Sequence, residues 1–168
     1  MRSARVVLRL ALSVALLTGA SAAQAAATVV EGAVSRVSDG DTLWVRPAGG
    51  GRPIKIRLDG LDAPEICQPG GREARQALEK LVLRQSVTVE VRLRDDYGRR
   101  VATLRREGRD IGEQLVRQGL AWNYRYHGVP GPYAAAEGAA RAARRGVFGD
   151  PAALPPREFR ERHGPCRR

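Results

Sequence analysis

Residues 54–65 constrain the chain most. Ile54, Ile56 and Leu58 alternate with Lys55, Arg57 and Asp59, which reads as a strand with one apolar face. Ala63-Pro64 ends it, because proline donates no hydrogen bond to a sheet and pushes the preceding residue out of helical geometry. Such a strand delivers Arg57, Asp62 and Glu65 to its own exit. Arginine presents a fixed fork of donors that matches a phosphate. Carboxylate oxygens suit a hard cation, or take a proton from water. Taken alone, the stretch reads more readily as a strand end with ordinary solvated charges.

The rest of the chain supplies the context. Val29 to Val37 reads as a strand, Ser38-Asp39-Gly40-Asp41 as a turn, and Thr42 to Val45 as a second strand. A Gly/Pro loop leads into the third, from Pro53 to Leu61. After the break at Gln68-Pro69-Gly70-Gly71, Ala74, Ala77, Leu78, Leu81 and Val82 recur at helical spacing, predicting a helix over 72–84. Strands follow from Ser86 to Leu93 and from Arg100 to Leu104, joined by Arg94-Asp-Asp-Tyr-Gly98. Asp110 and Glu113 form a capping box for a second helix that stops at Gly119. Pro132 opens a third helix, with Tyr133, Ala136, Ala140 and Ala143 as its apolar stripe. The order β-β-β-α-β-β-α-α is that of a mainly β, α+β fold: a five-stranded OB-fold barrel with three helices. Nothing after Gly149 is periodic, so 151–168 is expected to be a tail, held if anywhere at Cys166.

Residues 1–25 have the pattern of a signal peptide. Arg2 and Arg5 precede an apolar run from Val6 to Leu17, and Ala23-Gln24-Ala25 fits a cleavage site. The run is shorter than the ~20 residues of a membrane span. The expectation is therefore a secreted or periplasmic domain over 26–150, monomeric and without stable membrane insertion after cleavage. Losing three arginines and no acid would lower the net charge from +11 to +8. That balance suits a polyanion such as nucleic acid, acidic polysaccharide or a membrane surface, although an arginine-rich coding bias would produce it too. In an oxidising compartment the two cysteines, Cys67 and Cys166, are expected to pair. With His127 and His163 far apart in sequence and no CxxC or HExxH, nothing in the sequence points to a zinc site.

Three clusters carry chemistry: Asp39-Gly-Asp41-Thr42, Arg57 through Glu65, and Asp95-Asp-Tyr-Gly-Arg99. On one barrel rim they would gather Asp41, Asp62 and Glu65 with Arg57 and Arg99. Such a set suits phosphodiester hydrolysis. Oxygen ligands hold a divalent cation, a carboxylate orients water, and guanidinium groups neutralise the charge growing on phosphorus.

At these residues the chain resembles the staphylococcal nuclease (thermonuclease) family. The likeness runs from about Val29 to Phe148. It rests on Val37-Ser-Asp-Gly-Asp-Thr42, Arg57-Leu-Asp-Gly-Leu-Asp-Ala-Pro-Glu65, Tyr97-Gly-Arg99 and Leu115-Val-Arg-Gln-Gly-Leu-Ala121. The resemblance implies a Ca²⁺-dependent nuclease that acts on DNA and RNA and leaves 3′-phosphate products. It implies that Asp41, Asp62 and the backbone carbonyl of Ala63 are calcium ligands, with Asp39 acting through water. Glu65 would position or deprotonate the attacking water, and Arg57 and Arg99 would bind the scissile phosphate. Tyr97, with Tyr124 or Tyr126, would lie against the nucleotide. Asp96 departs from the pattern of the best-studied members of that family, which have a basic residue near the nucleotide's terminal phosphate.

Two other readings remain. A non-catalytic OB module would bind nucleic acid without needing Glu65. A basic domain for polysaccharide or membrane surfaces would leave Asp41, Asp62 and Glu65 without a purpose.

Overall fold

The computed structural model describes residues 28–124 and 128–166; the expected signal segment 1–25 and Tyr126 lie outside them. In chain order the elements are β1 (Thr28–Val37), β2 (Thr42–Pro47), β3 (Ile54–Leu58), β4 (Leu61–Asp62) and α1 (Gly71–Val82). Then come β5 (Ser86–Arg94), β6 (Arg100–Arg106), β7 (Arg109–Asp110), α2 (Ile111–Arg117) and β8 (Trp122–Asn123). Last are α3 (Ala134–Ala142), a 3-10 turn (Gly146–Gly149) and α4 (Pro156–His163).

Strand β1 pairs antiparallel with β2 and β5, β2 with β3, and β5 with β6. A parallel pairing of β3 with β6, Ile56 opposite Arg100, closes the sheet into a five-stranded barrel. Closure demands strongly coiled strands, and register shifts between Val34 and Arg36 and between Val91 and Leu93 help to bend them. This is the OB-fold that the element order implies. Among the described residues no helix is long and apolar enough to cross a membrane.

The apolar alternation explains the register. Val34, Val45, Ile56, Leu58, Val89 and Leu104 are all essentially inaccessible. Leu78 of α1 and Leu115 of α2 join the same core. Fully burying one such side chain contributes about 1.5–3 kcal/mol, against about 0–1 for an exposed ion pair. The arginine-rich surface therefore follows the core rather than directing it.

Three expectations need correction. The third strand does not run unbroken to Leu61. Gly60 takes φ +74°, and an added Cβ there would lie 2.6 Å from Pro132 Cγ, so only glycine fits. The chain turns, leaves the barrel and resumes as β4, which pairs with β8. The third helix starts at Ala134 rather than Pro132, because the Tyr133 amide donates to the buried Asn123 Oδ1 at 2.9 Å. The segment after Gly149 is not an irregular tail but contains a fourth helix, α4. Pro156 stands in its first turn, and Arg157–Glu161 and Glu158–Arg162 pair one turn apart.

Candidate functional site

Barrel closure assembles the site. Arg57 on β3 stands between Thr42 of β2 and Val101 of β6, so the start of β2, the end of β3 and the turn before β6 share one rim. Residues 39–41 are pressed against residues 63 and 74. An added Cβ on Gly40 would come 2.7 Å from the Cβ atoms of Ala63 and Ala74, so a larger residue would push the loop away. The Leu58 amide donates to the Asp41 carbonyl at 2.8 Å, fastening the loop to β3.

Asp41 and Asp62 converge on one nitrogen. Arg57 Nη2 donates to Asp62 Oδ1 at 2.7 Å and lies 3.2 Å from Asp41 Oδ2. Both aspartates are buried and Arg57 is half-buried. Burial alone would lower the Arg57 pKa, but the charges of Asp41 and Asp62 outweigh it and hold the guanidinium protonated. Burial raises the Asp62 carboxyl against the opposing pull of Arg57. Asp39, whose Oδ1 accepts from the Asp41 amide at 3.1 Å, is pushed up to about 7 by burial and then by the Asp41 charge. The Thr42 hydroxyl donates to Asp41 Oδ1 at 2.8 Å.

Two cavities open here. A polar pocket of about 210 Å³ is lined by Asp39, Asp41, Thr42, Ala63, Glu65 and both Arg57 and Arg99. A wider cleft of about 800 Å³ shares Arg57, Glu65 and Arg99 with it and extends past Asp62 to Tyr97 and Tyr124. Every described residue assigned to catalysis, metal or substrate thus lines one cavity or both. Tyr97 is 83% exposed, and the Arg99 guanidinium lies 5.2 Å from its ring centroid. The Tyr124 amide donates to the Gly60 carbonyl at 2.9 Å, which anchors that ring's backbone beside the β3–β4 turn. Tyr126 lies outside the described residues.

Arg99 is arranged differently from Arg57. Its Nε donates to Asp95 Oδ2 at 2.7 Å, and its amide donates to Asp95 Oδ1 at 2.8 Å. Burial would raise the Asp95 carboxyl, but these bonds and the Arg99 charge hold it below the usual carboxylate range. Asp95 engages the Arg99 side chain through Nε alone, which leaves the Nη donors to meet a phosphate.

Glu65 reveals what the sequence reading missed. Its Oε1 accepts from Arg160 Nη1 at 2.6 Å, and Arg160 Nη2 lies 3.7 Å from Asp62 Oδ2. Arg160 belongs to α4, ninety-five residues from Glu65. The signals that could have found it are Pro155-Pro156 ahead of alternating arginines and glutamates, the Gly164 stop, and a cysteine tether at 166. Cys67 and Cys166 form a disulfide.

Beside the cationic Lys55, Arg57 and Arg99, the small pocket offers oxygen ligands from Asp39, Asp41, Thr42 and Glu65 and no imidazole or thiol, the chemistry of a hard cation rather than zinc. Among the described residues no group of three or more carboxylate, imidazole or thiol side chains forms a ready cage. Two carboxylates converge, and further ligands would come from backbone or water. Calcium accepts such a set, because it takes six to eight oxygens in irregular geometry.

Comparison with known proteins agrees with this architecture. The model of the family "Staphylococcal nuclease homologue" matches residues 55–150. Protein ParB of Escherichia coli is 36% identical over 170 residues, 95% of this chain and 93% of the relative. Micrococcal nuclease of Shigella flexneri is 38% identical over 140 residues, 77% of this chain and 79% of the relative. An uncharacterized endonuclease of Haemophilus influenzae is 32% identical over 127 residues, 76% and 71% of the two chains. With the barrel, its rim and these likenesses taken together, the chain belongs to the staphylococcal nuclease homologue family.

Proposed function

We propose that the protein is an exported, Ca²⁺-dependent, sugar-nonspecific endonuclease that hydrolyses DNA and RNA to 3′-phosphate products. The nuclease part follows from the family and from relatives named endonuclease and micrococcal nuclease. One observation carries the site assignment: Asp41 and Asp62 grip a single guanidinium, Arg57, on the rim of a cleft that Glu65 also lines. Pure binding of nucleic acid has no use for that grouping of acids.

Asp41, Asp62 and the Ala63 carbonyl would hold the cation. Bound there, Ca²⁺ supplies Lewis-acid polarisation of a phosphoryl oxygen and a fixed positive charge. Glu65 orients a water and takes its proton as the water oxygen bonds to phosphorus. The bond from phosphorus to the 5′-oxygen breaks, and that oxygen takes a proton from solvent. Arg57, already desolvated and charged, faces the charge that grows on the phosphoryl oxygens, where a preorganised donor counts most. Arg99 joins it through its Nη donors while Asp95 holds Nε. Tyr97 and Tyr124 offer aromatic faces to bases, a contact that tolerates any sequence. The Cys67–Cys166 disulfide supports export, since such bonds persist in oxidising compartments.

The test is digestion of single- and double-stranded DNA and of RNA with Ca²⁺, with Mg²⁺ and with a chelator. Chelator-sensitive cleavage with 3′-phosphate ends is expected. Binding without cleavage under all conditions would replace this reading with the non-catalytic module.

A further inference from the structure

We infer that Arg160 is a third substrate-phosphate arginine, carried into the cleft by α4 and kept there by the Cys67–Cys166 disulfide. The inference rests on the nuclease reading above.

The placement is built rather than incidental. The turn that bears Glu65 is fastened to both ends of the segment that bears α4. Gln68, itself buried, accepts from the Glu65 amide through Oε1 at 3.1 Å and donates through Nε2 to the Leu154 carbonyl at 2.6 Å. On the other side of α4, Cys166 is bonded to Cys67. An eight-residue helix is too short to persist alone, and within α4 only Pro156 is buried. Its position therefore depends on these two ties and on the Arg160 ion pair. All three meet within four residues of Glu65.

The charges explain what Arg160 does there. Arg92 and Arg99, which also line the cleft, have partners of their own in Asp59 and Asp95. Arg160 instead pairs with Glu65 and approaches Asp62, the two carboxylates that the chemistry needs. Three carboxylates, Asp41, Asp62 and Glu65, face two guanidinium groups, Arg57 and Arg160. Asp39 and Lys55 line the small pocket and Asp96 the cleft, so acids still outnumber the cations there, and a divalent cation would offset their repulsion of a phosphodiester. Arg160 then exchanges carboxylate for phosphate, which its donor fork fits in two-pronged fashion. At 40% exposure the side chain is accessible to a strand in the cleft.

The experiment measures equilibrium binding of a fluorescein-labelled single-stranded DNA in Ca²⁺. It uses a Glu65→Gln background, in which the reading above leaves turnover too slow to consume the probe during the measurement. Adding Arg160→Ala should weaken binding about tenfold, as expected for a lost charge-assisted contact. It should also reduce the slope of log Kd against log salt by about 0.7. Arg160→Lys should recover the salt slope but not the full affinity, because it keeps the charge and loses the fork. Replacing both cysteines with serine should weaken binding in the same direction, and Arg160→Ala should then add less than it does with the disulfide intact. With Glu65 intact, Arg160→Ala should raise KM while kcat stays within about threefold. An unchanged Kd and salt slope would overturn the inference, as would tighter binding or a lower KM, which would make Arg160 a plug instead. Cleavage of the probe by Glu65→Gln would overturn the role of Glu65, and Arg160 would still be judged by KM and its salt dependence.

Discussion

Arg57 Nη2 donates to Asp62 Oδ1 at 2.7 Å across the Asp59-Gly60 turn, so the last arginine of a barrel strand is held by a carboxylate outside the barrel. The same nitrogen lies 3.2 Å from Asp41 on the neighbouring strand's entry. One guanidinium thus joins the two aspartates proposed to hold the cation.

Arg57→Ala should therefore lower kcat by about 10²–10³, with a smaller change in KM, since a preorganised donor to growing charge is lost. Glu65→Gln keeps the size and removes the proton acceptor, and should lose most activity while still binding DNA. Arg72→Ala, on the exposed face of α1, should leave kcat near normal. Near-normal kcat in the first two variants on one substrate at fixed Ca²⁺ would dismiss the site.

Calcium should raise thermal stability as well as activity. Binding to the folded chain alone stabilises by about 2.7 kcal/mol at a hundredfold excess over Kd. The rise in Tm should vanish in Asp41→Asn/Asp62→Asn. Magnesium should support cleavage poorly, because it demands a near-ideal octahedron. Full activity in magnesium with calcium rigorously removed contradicts this.

The disulfide closes a loop with a sequence separation of 99, for which chain entropy allows about 4–5 kcal/mol at most. Denaturant titration of Cys67→Ser/Cys166→Ser should show a loss up to that size. Titration of denatured, unreduced wild type should find no free thiols.

Asp95 holds the turn before β6 through its own charge. Its folded pKa lies below the ordinary 3.8, so the charged carboxylate stabilises the fold above that value, and the contribution is lost as pH falls through the folded pKa. Asp95→Asn should be less stable than wild type at neutral pH, and the difference should close under strong acid. Unfolding curves that stay equally far apart at every pH would refute it.

Much of the barrel was legible because its signals are local. The alternation of Ile54, Ile56 and Leu58, the Asp39-Gly40 turn and the Asp110–Glu113 cap each lie within a few residues; of the capping box the Asp110 half forms, with the Glu113 amide donating to Asp110 Oδ1 at 3.1 Å, while the Glu113 carboxylate pairs with Arg117. Gly60 was less legible. A glycine inside an alternating run does not announce that Pro132 will press on it from seventy-two residues away. The buried link from Asn123 to Tyr133 moved a helix start for the same reason.

The sequence by itself determined which residue types could meet on the rim, since the order of strands fixes which ends share a side of a closed barrel. The chemistry of Arg57, Asp41 and Glu65 and the family resemblance of their motifs name these residues, and their meeting on one rim is an assumption that the sequence makes reasonable. Only the tertiary structure decided whom each side chain faces: Arg99 turned to Asp95, Arg57 shared by two aspartates, and Arg160 on Glu65. Periodicity reports a residue's face relative to its own element, whereas an ion pair depends on elements that may stand ninety-five residues apart. Helix α4 shows the limit most clearly. Its charged face has no apolar period to read, and the ties that hold it, Gln68 to Leu154 and Cys67 to Cys166, exist only once the barrel has closed.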